Sequence, residues 1–142
     1  NDAAEARQVM SALLAKHGRI DGVIGDNGGV VNTILDAYEA SGFEPPALAV
    51  SAATNGLNCA WEERKDFPYF STDGNQMGAV SSLRRVLAEI NGVAFDQSLT
   101  VAPWAVVDTL TPGMEPKCDA SVSPDVDWTT SLSDDKVKQL FG

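Results

Sequence analysis

The chain is poor in basic residues. Ten Lys and Arg stand against twenty Asp and Glu in 142 residues, a formal net charge of −10. A surface of that sign repels nucleic acid and anionic lipid, so neither is an expected partner. Histidine occurs once, at His17, and no serine or cysteine nucleophile motif accompanies it. No catalytic constellation is therefore expected. Cysteine occurs twice, at Cys59 and Cys118, too far apart for a C-x-x-C redox or zinc pair. No apolar run approaches the roughly 18 residues of a membrane span. Gly22, Gly25 and Gly28 do not follow the G-x-G-x-x-G fingerprint, and there is no P-loop. Asp125, Asp127, Asp134 and Asp135 miss the calcium-loop spacing and read as solvated surface. No methionine and no basic-then-apolar leader opens the chain, which reads as a processed or truncated product. None of these features implies a cofactor or a metal.

What is present is an ordinary globular composition, 44% hydrophobic, in a length that suits one domain. Apolar spacing predicts a first helix from Asp2 to His17, with Ala6, Val9, Met10, Leu13 and Leu14 on one stripe and Gly18 at its end. A short buried strand over 22–25 follows, then a helix over 28–41 stopped by Gly42 as a left-handed cap. Pro45-Pro46 leads into a strand over 47–51. A short helix over 57–64 carries Cys59 and Trp61, and Tyr69–Thr72 reads as a third strand. A strong helix over 76–90 places Met77, Val80, Leu83, Val86, Leu87 and Ile90 on one side. Thr100–Leu110 is extended, with Pro103 marking an edge or crossing segment. From Thr111 the composition turns to Pro, Ser and Asp, and one helix over 133–141 closes the chain. Alternating helices and strands argue for an α/β fold, a mostly parallel sheet with helices on both faces. The opening helix lacks a preceding strand, so the sheet reads as incomplete at its amino-terminal edge.

Three strand-to-helix turns share one scheme: Asp26-Asn27-Gly28-Gly29, Ala53-Thr54-Asn55-Gly56 and Thr72-Asp73-Gly74-Asn75. In a parallel sheet all three lie along the carboxyl edge, where such folds hold ligands. A carboxylate can accept two hydroxyls, and an Asn amide offers a donor and an acceptor. Asp26, Asn27, Thr54, Asn55, Thr72 and Asp73 are therefore the candidate ligand-binding residues, with helix-start N–H groups as further donors. The plainer reading is that the same residues are helix caps. Trp104, near the crossing segment, is the best candidate for stacking on a ligand ring; Trp61 and Trp128 are expected in the core.

The run Ile20-Asp21-Gly22-Val23-Ile24-Gly25-Asp26-Asn27 resembles the strand and turn of the type I periplasmic sugar-binding proteins, the ribose-binding group. The likeness continues through Tyr38-Glu39-Ala40-Ser41-Gly42, Phe70-Ser71-Thr72-Asp73, Gln76-Met77-Gly78, Ile90-Asn91-Gly92 and Val106-Val107-Asp108, over about residues 3–111. The resemblance implies the carboxyl-terminal lobe of a two-lobed receptor, a Rossmann-like three-layer sandwich lacking its first strand. Residues 1–111 would form that lobe, and 112–142 a tail packing on the lobe or its hinge. It implies no enzyme activity, a monosaccharide or related polyol as ligand, a missing amino-terminal lobe as partner, and an ABC permease as recipient. By position, Asn27 matches the family's ligand-binding Asn, with Asp26 beside it, and Thr72 and Asp73 match its polar position after the third strand. The middle turn departs from the pattern, offering Ser51-Ala52-Ala53 where ribose-binding relatives place an Asp.

Such a receptor works in the periplasm or another extracytoplasmic space, secreted or lipid-anchored. That compartment favours a disulfide between Cys59 and Cys118 over two separate buried thiols. The alternative reading is the effector-binding domain of a LacI-type regulator, which shares the fold; acidity and the cysteine pair stand against it.

Overall fold

The structure is a computed structural model that describes residues 2–65, 67–72, 77–95, 105–128 and 132–142. Helix α1 spans Ala3–His17, with Asp2 as its cap accepting from the N–H groups of Ala4 and Glu5. Strand β1 is Gly22–Gly25, and helix α2 is Gly28–Ser41, ended by Gly42 at φ 69°. That left-handed backbone is one glycine adopts without a Cβ penalty. Strand β2 (Ala47–Val50), helix α3 (Asn55–Arg64) and strand β3 (Tyr69–Thr72) follow. Helix α4 (Met77–Ile90), strand β4 (Ala105–Asp108) and helix α5 (Asp134–Phe141) complete the order. Helix α3 begins two residues before the sequence expectation, because Thr54 rather than a later residue caps it. The expected stretch 100–104 lies outside the described residues.

The four strands form one sheet in the order β1-β2-β3-β4. β1, β2 and β3 are parallel, with Val23 opposite Leu48 and Val50 opposite Ser71. β4 returns antiparallel beside β3, pairing Ser71 with Val107. This order explains where the helices go. Each right-handed crossover, β1-α2-β2 and β2-α3-β3, steps the same way across the sheet, so both helices fall on the same face. The same rule does not place α4, which joins β3 to the antiparallel β4.

The core lies on that one face. Val31 and Leu35 of α2 and Leu57 and Trp61 of α3 pack on Leu48, Val50, Tyr69 and Val107. α1 lies against α2 through Met10, Leu14, Ile34, Ala37 and Tyr38, with Val23 of β1 beneath them. The Tyr38 hydroxyl donates to the carbonyl of Ile20 at 2.8 Å, and burial raises its pKa, with the nearby Asp21 charge adding to the effect. On the opposite face of the sheet Ile24 is 90% exposed and Phe70 40%.

The tail folds back over α3 and builds a small core of its own from Val122, Trp128 and Val137. A disulfide joins Cys59 of α3 to Cys118, Cα to Cα 4.7 Å. Lys138 of α5 pairs with Asp119 at 2.6 Å, and the Ser121 hydroxyl and N–H donate to the same carboxylate. The Lys138 ammonium, then the Ser121 donors, hold the Asp119 carboxyl well below the ordinary range.

The cross-link closes a loop of 59 positions, worth about 4 kcal/mol in the chain-entropy model. Urea unfolding with and without reductant should therefore differ by about 2–4 kcal/mol. The ion pair makes a pH prediction. Asp119 titrates lower when folded than unfolded, so its contribution is complete above the usual carboxylate range and declines as pH falls through the lowered value. In thermal melts, Lys138→Met should be less stable than the parent at pH 6, and the gap should narrow as pH is taken toward 2.

Candidate functional site

The carboxyl ends of β1, β2 and β3 lie side by side, because the three strands are parallel neighbours. Their loops are stitched together by backbone contacts. The Ser51 N–H donates to the Gly25 carbonyl at 3.3 Å and the Gly28 N–H to the Ala52 carbonyl at 3.1 Å. The Ser51 hydroxyl donates to the Asp26 carbonyl, and the Thr72 hydroxyl lies 3.5 Å from the Ser51 carbonyl. Gly28 makes this approach possible. A Cβ there would sit 2.8 Å from the Ala52 carbonyl oxygen and 2.9 Å from the Thr54 nitrogen, both backbone atoms that cannot swing aside.

On this rim Asp26 is exposed, and no described residue bonds its carboxylate. Asn27 caps α2: its Oδ1 accepts from the Gly29 N–H at 2.8 Å and the Val30 N–H at 3.4 Å. Its Nδ2 has no protein acceptor among the described residues and keeps two donors. One side chain thus serves both readings offered by the sequence, cap through its oxygen and donor through its nitrogen. A shallow pocket of about 220 Å³ lies next to these groups, lined by Ile24, Ala49, Ser51, Phe70 and Thr72 among others. Sequence reasoning missed Ser51 and Phe70. The available signal was β3's alternation, which faces Tyr69 and Ser71 into the core and leaves Phe70 outside.

The middle turn is built differently from the first. Thr54 and Asn55 are each 2% exposed: the Thr54 hydroxyl caps α3 by accepting from the Leu57 N–H, packed beside Gly28, and the Asn55 amide points into the tail. Asn55 Nδ2 donates to the carbonyls of Asp119 at 2.9 Å and Val122 at 2.8 Å. Its Oδ1 accepts from the Asp119 N–H at 3.0 Å and the Trp128 Nε1–H at 3.1 Å. The N–H groups of Asn55 and Gly56, at the start of α3, donate to the carbonyls of Val126 and Pro124. Tail carbonyls therefore occupy the helix terminus where a ligand was expected. Trp128 and Trp61 are buried, as expected of core residues. Asp73 and Trp104 lie outside the described residues. Asn58 adds a third tie, from Nδ2 to the Lys117 carbonyl at 3.0 Å, while its Oδ1 accepts from the Tyr69 hydroxyl. Burial pushes the Tyr69 phenol up, out of reach of physiological titration.

The start of α2 is filled as well, by the Ala52 carbonyl and Asn27 Oδ1. Neither helix terminus offers bare N–H groups to an anion, and the rim's free charge is negative. The arrangement suits a neutral ligand with hydroxyls that both donate and accept. No cluster of three metal-ligating side chains occurs among the described residues.

No family model matches the chain, and no curated protein is similar to it. A solved crystal structure from Mycobacterium smegmatis shares the fold at a TM-score of 0.52 and 19% identity, over 76% of this chain. The matched region is 36% of that neighbour's length, so this chain corresponds to a part of it.

The Asn55 reading makes a prediction. Asn55→Ala leaves the Trp128 Nε1–H, the Asp119 N–H and the Val122 carbonyl without their partner, the Asp119 carbonyl keeping the Val122 N–H, and should cost on the order of 3 kcal/mol. Chemical denaturation measures it. A loss below 1 kcal/mol would show that the tail does not depend on this amide.

Proposed function

We propose that this chain is the carboxyl-terminal lobe of a type I solute receptor that binds a monosaccharide or related polyol without transforming it. In this reading the lobe is Rossmann-like and the complete receptor lobe has three layers. A second lobe supplies the facing half of the site, and an ABC permease receives the ligand. The observation that carries the reading is the rim itself: the Asp26 carboxylate and the Asn27 amide donors, unpartnered among the described residues, stand beside Ser51 and Thr72, where three parallel strands end. Polar groups on an α/β rim that serve no bond inside the protein are what a hydroxylated ligand needs, since each of its buried hydroxyls must find a partner.

The disulfide fits an oxidising, extracytoplasmic setting, and among the described residues no helix is long and apolar enough to cross a membrane. The same disulfide and the net charge of −10 weigh against an effector domain of a LacI-type regulator. The ligand of a two-lobed receptor stabilises the closed state by touching both lobes at once, so one lobe alone binds weakly.

Weak binding is measurable by chemical shifts. Titrating the isotopically labelled chain with a panel of aldoses and polyols at tens of millimolar should move the amides of residues 25–29, 51–53 and 72. Asp26→Ala, which breaks no side-chain bond among the described residues, should abolish those shifts while the melting temperature stays unchanged. Asn27→Ala should weaken binding too and also destabilise the chain by about 1 kcal/mol through the lost cap. Shifts absent from the rim, or clustered elsewhere, would refute the reading.

A further inference from the structure

An Asn-Gly pair carries a built-in reaction. Glycine has no Cβ to shield its backbone nitrogen, and that nitrogen can attack the side-chain carbon of the asparagine before it. The sequence contains the pair three times, at Asn27-Gly28, Asn55-Gly56 and Asn91-Gly92. The fold treats the three differently. A Cβ on Gly28 would sit 2.8 Å from the Ala52 carbonyl oxygen, and one on Gly56 would sit 3.0 Å from Pro124 Cβ. Around Gly92 no described atom lies within 4 Å of that place. The N–H groups of Gly28 and Gly56 donate to Ala52 and Pro124, carbonyls of segments distant in the chain. The Gly92 N–H donates to Glu89, in the last turn of α4, at 3.2 Å. The side chains differ in the same way. Asn27 Oδ1 caps α2, and Asn55 spends its whole amide on the tail. Asn91 is exposed, and its Nδ2 donates to the Leu87 carbonyl of its own helix.

We propose that Asn91 is a site of intramolecular deamidation, the Asn-Gly pair of this chain that the native fold leaves open to it. The Gly92 nitrogen loses its proton to solvent base and bonds to Asn91 Cγ. The Cγ–Nδ2 bond breaks, and Nδ2 leaves as ammonia after taking a proton from water, which closes a succinimide ring. Water then adds to either ring carbonyl, and the product is aspartate or isoaspartate at position 91. The attack requires the helix end to open, and that end is held locally. Gly92, at φ 64°, and Val93 close α4 through bonds to Glu89 and Ala88, the pattern of a helix that ends on a left-handed residue. These bonds all lie within the last turn of α4 and beside exposed residues, where opening is easiest. At Asn27 the same attack requires the β1 and β2 loops to part, and at Asn55 it requires α3 to part from the tail. The reaction also weakens its own restraint. It replaces the donor to Leu87 with a carboxylate at the negative end of the helix dipole, so the last turn of α4 loosens once Asn91 has reacted. The inference is independent of the ligand reading, since Asn91 is not a rim residue.

Incubating the intact, disulfide-bonded chain in mildly alkaline buffer and locating the product by fragment-ion mass spectrometry tests it. Conversion adds about 1 Da at the reacting asparagine, an amide nitrogen with its hydrogens being exchanged for a hydroxyl. In the native chain Asn91 should convert at least about 10-fold faster than Asn27 or Asn55. In guanidinium chloride, where no fold distinguishes the three pairs, their rates should agree within about 3-fold. The Asn91 rate should rise with pH, because the attacking nitrogen must lose its proton. Asn91→Gln, whose longer side chain closes the ring slowly, should remove the product at that position and leave the other two rates unchanged. An Asn91 that converts in guanidinium chloride but stays intact in the native chain would overturn the proposal. So would native conversion at Asn27 or Asn55 within about 10-fold of that at Asn91, or a preference for Asn91 that is as large in guanidinium chloride as in the native state.

Discussion

One buried amide ties the two parts of this chain together. Asn55 spends all four of its hydrogen-bonding positions on residues 64 to 73 places further on: the backbone of Asp119 and Val122 and the indole of Trp128. The start of α3 is thereby filled with protein, the tail is fixed in position, and the second of three similar turns is withdrawn from the rim. The disulfide from Cys59, one helical turn on, and the Asn58 contact to Lys117 reinforce the same junction. Buried polar groups in a low-dielectric setting must be fully satisfied or they destabilise, and this junction is satisfied on every side.

That junction also sharpens the functional contrast among the turns. At the first, Asn27 needs only its oxygen for the cap and keeps its nitrogen. At the second, every donor and acceptor of Asn55 is consumed. The rim is consequently built from the β1 loop, Ser51 and the end of β3, with an acidic and hydroxylated character. Neither α2 nor α3 offers an anion an open helix start there, which narrows the ligand class that this part of the rim accommodates.

Much of the local structure was legible in the chain. Asp2, Asn27 and Ser133 cap helices where small polar residues precede apolar periodicity, and Gly42 stops α2 where a positive φ is needed. The three parallel strands follow from short apolar runs between helices. What stayed hidden depends on contacts distant in sequence. Nothing near Asn55 announces partners beyond residue 118, so its amide reads the same as that of Asn27. That α2 and α3 share one face follows from strand order, which periodicity does not encode. Phe70 directly follows Tyr69, and strand alternation was the one signal that it faces away from the core.

The Cys59–Cys118 bond has a topological consequence as well. It makes a covalent ring of the segment that contains β3, α4 and β4. A protease that severed one peptide bond on either side of α4 would open the ring without dividing the molecule. The pieces would separate on a gel only after reduction, and the nicked protein would gain only the mass of one water while keeping its tail attached.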